Sequence, residues 1–327
     1  MVSTRQSMRY EADDKASKTR VQLLPLCSTP SKKSSFAGFV LSNRNSNALK
    51  PDVREETRAE APAMRGRLDW DDEPLPQFCS DIIEFPQPLR KNCSTAPDIK
   101  GAPRCNPERK MMFSQYGEDY YLYTRHFSKL KRPGVYLDIA TNDAISISNT
   151  YFLDRCLSWK GICVEANPKY YEKIHRERSC ALIPTCVSDR DGVTVEFALS
   201  GPGSGVVSTH RQGDQIQDRA TAVVRKKCVS IESQLKRYGV TEVDYLNLDV
   251  EGHELTVLKS FDFSKVNVKV ISVEISSSSK EPIDNLLTQN GFVKHNNEEP
   301  TDGMEGMPIF PSNVFYVHSD VVFGHPE

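Results

Sequence analysis

Acidic and amide side chains recur in this chain at the ends of short apolar runs: Asp138 and Asn142, then Glu165 and Asn167, then Asp189, then Asp249 and Glu251, then Glu274. Carboxylates are costly to bury unless something pairs with them, so a repeated rim of them reads as the wall of a polar-ligand site. Glu165 follows the first of these turns by roughly the ~20 residues at which an acidic group accepts both hydroxyls of a ribose. The next residues, Asn167-Pro168, also read as a helix cap with proline at the first helical position, and the two roles are compatible. In the stretch "LDVEGHE", Asp249, Glu251 and His253 are candidate proton acceptors. Histidine titrates in the useful range, and a carboxylate does so once desolvated. A bland reading of His253 is a water-facing residue opening a helix. The same three residues could gather a hard cation such as Mg²⁺, but no independent motif supports one and no metal is expected.

These residues need a scaffold, and the apolar runs supply it. "VYLDIA" (135–140), "GICVEA" (161–166), "ALIPTCVS" (181–188), "VDYLNLDV" (243–250) and "VKVISVEIS" (268–276) are short, rich in β-branched residues, and read as buried strands. Between them, Ile145, Phe152, Leu153 and Cys156 share one helical face, as do Leu255, Leu258 and Phe261. Alternating strands and helices predict an α/β fold, a parallel sheet covered on both sides. Ligands in such sheets bind beyond the carboxyl ends of the strands, which is where the candidates fall. "VTVEFAL" (193–199) and "NVFYVH" (313–318) alternate as half-exposed or edge strands do. The Gly-rich stretch 200–215 is too long for a tight connection and reads as a lid or binding loop.

With 327 residues and 38% hydrophobic content, the chain is expected to bury one core of about 200 residues. Eleven of the twenty prolines precede residue 110, in sequence rich in Ser, Asn and Lys, so 1–108 is expected to be a mostly disordered extension and 109–327 the folded domain. A formal charge of −2 gives no global basic field for nucleic acid, and no apolar stretch near the N-terminus approaches the ~20 residues of a membrane span. The segment between Asp14 and Asp52 has seven Lys and Arg and no acidic residue, a bias shared by organelle transit peptides, although Glu11, Asp13 and Asp14 precede it. A soluble protein of the cytoplasm or an organelle is expected. Cys156, Cys163 and Cys186 lie in apolar segments that suit free thiols and a reducing compartment. Cys79, Cys93 and Cys105 read as unpaired linker thiols, and Asn92 opens a formal glycosylation sequon.

Together, "SQYGED" (114–119), "YLDIATNDAISISNTYFLD" (136–154), "WKGICVEANPKYYE" (159–172), "TCVSDRDG" (185–192) and "YLNLDVEGHELTVLKSF" (245–261) resemble the FkbM-type methyltransferases, from about Phe113 to His318. The resemblance implies a Rossmann-like class I fold with a mainly parallel sheet and a C-terminal antiparallel edge. It implies S-adenosylmethionine as cofactor and O-methylation of a hydroxyl on a sugar or small metabolite. Carried over by position, Asp138 and Asn142 lie near the methionine end, Glu165 holds the ribose with Asn167 beside it, and Ser188 and Asp189 flank the adenine. Asp249 and Glu251 face the sulfonium and the incoming substrate, while Gln115 and Glu118 help close the site. Where many members carry glycines in the first turn, this chain has Ala140, Thr141 and Ala144. Those alanines motivate one alternative, a catalytically silent binding module. A second, a nicotinamide oxidoreductase, wants a G-x-G-x-x-G turn that is absent.

Overall fold

The computed structural model describes residues 54–55, 75–84, 112–209, 220–276, 278–295 and 313–321. Five of the β-branched runs form strands near their expected places: β2 (Val135–Ile139), β3 (Lys160–Val164), β4 (Ala181–Ile183), β8 (Glu242–Leu248) and β9 (Asn267–Glu274). They join β11 (Asn313–His318) and β10 (Phe292–His295) in one seven-stranded sheet of order β4-β3-β2-β8-β9-β11-β10. Pairings among the five are parallel, and β11 is antiparallel to both β9 and β10. This is the expected Rossmann-like class I architecture with its antiparallel C-terminal edge.

Period-two alternation sorts the core into two layers. Leu137, Ile139, Leu246 and Leu248 face a cluster shared with α5 (Ile231–Tyr238), α6 (Glu254–Lys259) and α7 (Lys280–Gln289). Tyr136, Cys163, Tyr245 and Phe315 face the other layer, with α1 (Gln77–Glu84), α2 (Glu118–Arg125), α3 (Tyr151–Cys156) and α4 (Tyr171–Glu177). Helix boundaries follow local chemistry. In α5, the Ser230 side chain accepts from the Ser233 amide at the start, and Gly239 at φ 65° closes the end. A second sheet, ordered β1 (Arg54–Glu55), β7 (Ala222–Lys227), β5 (Thr194–Leu199), β6 (Gly205–Val206), packs Phe197, Val206 and Val224 with Ala166.

Three expectations change. Cys79, Cys156, Cys163 and Cys186 are not free thiols: the structure pairs Cys79–Cys156, Cys163–Cys180 and Cys186–Cys228. An apolar context suits a half-cystine as well as a thiol, and partners 77, 17 and 42 residues apart meet only once the sheet has formed. Helix α1 lies before residue 109 and yet has Cys79 and Ile82 fully buried, so part of the expected extension packs into the core. The apolar period through Ile145 suggested helix, but α3 begins only at Tyr151, because Ala140, Asn142 and Ile147 have positive φ and hold 140–150 as an irregular turn. Cys93, Cys105, the Asn92 sequon and the basic segment 14–52 lie outside the described residues. No helix among the described residues is long and apolar enough to cross a membrane.

Candidate active site

Strand order reverses between β2 and β8, and an open cleft of about 1090 Å³ lies beyond the carboxyl ends of β2, β3, β8 and β9. Nine of the sequence candidates line it: Gln115, Glu118, Asp138, Asn142, Glu165, Asp249, Glu251, His253 and Glu274. Asn167, Ser188 and Asp189 do not. Asn167 caps the short turn after β3, accepting from the Lys169 amide and donating to Ser204 Oγ. Asp189 is turned outward, its carboxylate 3.6 Å from Arg190.

The turn after β2 forms the floor. The Ala140 and Thr141 amides both donate to the Val164 carbonyl, at 2.9 and 3.0 Å, which folds the chain back against β3. Left-handed φ values of 66° at Ala140 and 58° at Asn142 make that reversal, and Ala144 needs none. The Asn142 amide then donates to Glu165 Oε2 at 2.7 Å, while Glu165 Oε1 accepts from the Asn167 amide at 2.6 Å. Burial pushes the Glu165 carboxyl up to about 7, against the smaller downward pull of the Asn167, Asn142 and Ala166 amides. Asn142 Oδ1 is buried in the cleft wall with no hydrogen-bond partner.

Asp138 is held on both oxygens. Asn247 Nδ2 donates to Oδ1 at 2.9 Å and Thr150 Oγ1 to Oδ2 at 2.5 Å. Asn247 pairs in register with Asp138 on one side and Ser272 on the other, and its Oδ1 accepts from Asn149 Nδ2 and Ser272 Oγ. This polar row across three strands was missed. Its signal was the alternation of Tyr245, Asn247 and Asp249, which puts an amide where an apolar residue would serve packing alone.

Opposite the turn, carboxylate oxygens of Asp249, Glu251 and Glu274 all lie within 4.8 Å of one another. Burial, then the hydrogen bond and charge of Glu274, with smaller contributions from Glu251 and Glu254, raise the Asp249 carboxyl well above the usual carboxylate range. Positive φ at Glu251 (55°) and Gly252 (105°) bends the loop that carries these groups. Glu254 fastens it by accepting from the Gly252 and Val250 amides. These three carboxylates, with Glu274 where the sequence suggested His253, could hold a hard cation. His253 instead meets Ser188 Oγ at Nε2 (3.3 Å) and Thr209 Oγ1 at Nδ1 (3.0 Å). It therefore joins the strand-end loop to the segment 201–209, and burial lowers its pKa despite Asp189.

The remaining wall comes from the second sheet and its turn, through Phe197, Gly201, Pro202, Ser204 and Val206. Glu118 closes the mouth, accepting from Asn313 Nδ2 at 2.7 Å and the Tyr116 amide at 2.9 Å. Among the described residues, no Lys or Arg lines the cleft.

No curated protein matches the chain. Among solved structures, a precorrin-6y C5,15-methyltransferase from Geobacter metallireducens GS-15 aligns at 12% identity over 58% of this chain and 82% of that one, with a TM-score of 0.32. A chain described as an rRNA-methylase from Clostridium thermocellum aligns at 13% identity over 64% of this chain and 97% of that one, with a TM-score of 0.34. The model of the methyltransferase FkbM domain matches residues 138–294. That span begins at the Asp138 strand end and runs through Glu165, Asp249 and Glu274, so the segment that builds most of the cleft is the one that resembles the methyltransferase FkbM domain.

Proposed function

We propose that this chain transfers a methyl group from S-adenosylmethionine to a hydroxyl of an uncharged polyhydroxylated acceptor, a sugar or small metabolite. The observation that carries this reading is the meeting, in one cleft, of the Asp138–Asn142 turn, Glu165 and the half-buried Asp249 group. The residues present suit the cofactor. Glu165 offers a buried carboxylate to two hydroxyls, Asn142 Oδ1 is an acceptor still lacking a donor, and Val187, Phe197 and Val206 offer an apolar slot for a flat ring. Asp138, fixed on both oxygens, is the proposed partner of the amino-acid end. When bound, S-adenosylmethionine supplies an electrophilic methyl group, so the protein has to align a nucleophile and remove its proton.

Asp249 is the proposed base. Its raised pKa brings it nearer to that of an alcohol, and Glu274 beside it can share the proton received. His253 is better suited to holding segment 201–209 beside the cleft, since both its ring nitrogens already meet hydroxyls. A wall of carboxylates without a lining Lys or Arg disfavours phosphorylated or nucleic-acid acceptors, since like charges brought together cost several kcal/mol. Three disulfides among the described residues support an oxidising compartment, contrary to the reducing one expected from the cysteine contexts.

Titration calorimetry with S-adenosylhomocysteine tests the reading. Binding should be measurable in the wild type and about tenfold or more weaker in Glu165→Ala, as expected on losing charge-assisted hydrogen bonds. Asp249→Asn should still bind but lose about 100-fold or more in turnover. No binding at millimolar ligand would sink the enzyme reading in favour of a silent module, the reading that the strained Ala140 favours.

A further inference from the structure

A buried polar network is centred on Arg178, which lies outside the cleft. Arg178 ends α4 with a fully buried side chain. A guanidinium has five N–H donors in a fixed fork, and here each meets an acceptor. Nε donates to Asp154 Oδ2 at 2.8 Å. Nη1 donates to the Ala144 carbonyl and Ser148 Oγ, both at 3.3 Å, and Nη2 to the Tyr136 hydroxyl at 3.0 Å and Thr150 Oγ1 at 2.6 Å.

Three of these five acceptors, at Ala144, Ser148 and Thr150, belong to the irregular turn that floors the cleft. Thr150 passes the constraint on. Its oxygen accepts from Arg178, so its single proton is left to donate to Asp138 Oδ2 at 2.5 Å. The direction of the chain is therefore set: Arg178 to Thr150 to Asp138, whose other oxygen Asn247 holds. Arg178 Nη2 also stands 3.9 Å from Asp138 Oδ2, so one guanidinium serves two buried carboxylates, Asp138 and Asp154. The arginine is itself anchored, because Cys180, two residues on, is disulfide-bonded to Cys163 in strand β3.

We infer that Arg178 is a positioning residue for the methyl-donor half of the cleft: through Thr150 it aims the Asp138 carboxylate, and through Ala144 and Ser148 it holds the turn in shape. This assignment rests on the proposed reading of the cleft. Lysine would keep the charge, but it is a point donor with no planar fork and cannot reproduce five fixed bonds.

The test uses Thr150→Val, Thr150→Ser and Arg178→Lys, and reads S-adenosylhomocysteine affinity together with amide hydrogen exchange of the ligand-free protein. Thr150→Val should weaken binding about tenfold, and Thr150→Ser, which keeps the hydroxyl, should restore it. Arg178→Lys should weaken binding at least as much and speed exchange of amides 140–150, while the layer containing α5 to α7 stays protected. The double variant Arg178→Lys/Thr150→Val should bind no worse than the weaker single variant, since both break one chain. In turnover the loss should appear in KM for the methyl donor, with kcat at saturation retained. A Thr150→Val variant that binds as the wild type does, while the wild type binds well, overturns the assignment and leaves the proposed function standing. So does exchange that rises equally in both layers of Arg178→Lys, which would make the residue only a fold stabiliser. A wild type that does not bind overturns both.

Discussion

Exchanging Ala140 and Ala144 for glycine, one at a time, separates backbone conformation from packing in the turn under the cleft. Ala140 sits at φ 66°, where the Cβ of an L-residue costs about 1–2 kcal/mol. Glycine removes that cost but loosens the unfolded chain, which takes back about 0.4–1 kcal/mol. Ala140→Gly should therefore stabilise the protein by about 0.7 kcal/mol. Ala144 is not among the positive-φ residues, is fully buried, and packs in the layer of Phe152 and Leu153. Removing its methyl loses about 0.8 kcal/mol of burial in addition to the same entropic term, so Ala144→Gly should destabilise by about 1.5 kcal/mol. Urea unfolding of the disulfide-intact protein, followed by tryptophan fluorescence, should show midpoints moving in opposite directions at constant m-value. Two midpoints that both fall by similar amounts would refute the reasoning, because they would mean that the left-handed turn carries no strain for glycine to relieve.

Because burial holds the Glu165 carboxyl at about 7 in the fold against an ordinary 4.5, its stabilising contribution is whole below that ordinary value and is lost as pH rises through 7. Glu165→Gln should remove up to about 3 kcal/mol of that fall, seen as a flatter dependence of melting temperature on pH, and an unchanged slope would count against the burial argument. Cys79→Ser opens the 77-residue loop closed by Cys79–Cys156 and should cost about 4 kcal/mol, with α1 becoming the first described helix to exchange its amides. Peptide mapping without reductant should recover the three pairs, and free thiols at Cys186 and Cys228 would contradict them. His253→Gln, which can still meet Ser188 and Thr209, should keep turnover within about threefold, whereas a loss like that expected of Asp249→Asn would make His253 the base.

Much of the candidate site was legible because strand-end chemistry is local. Asp138, Glu165, Asp249 and Glu274 each follow a β-branched run, and their placement needs only the knowledge that parallel strands point their carboxyl ends the same way. Glu274 was visible at its strand end, but its partnership with Asp249 was not, since that depends on β8 and β9 lying side by side. Asn313 reaches the cleft mouth because β11 runs back beside β9 and pairs it with Glu274, a register that no stretch of sequence displays. Ser188 and Asp189 show the converse. Their position along the chain suggested a cleft residue, but the backbone after β4 turns Asp189 outward, and it is Thr185 to Val187 that line the wall.

What the sequence alone determined is the α/β order, the two-layered core and the strand ends that meet, because alternation with period two and the contrast of β-branched runs with polar turns are properties of neighbouring residues. Conformation at Ala140, the three disulfides and the bonds of Arg178 were decided only by the tertiary structure. Each depends on groups tens of residues apart being held within a few tenths of an ångström, and a thiol, an alanine or an arginine has the same local signature whichever partner it finds. Register across β2, β3 and β8 supplies that precision. The same buried Asp138 is an exposed acid in the unfolded chain and a fixed, doubly bonded carboxylate only when Asn247 and Thr150 arrive on either side of it.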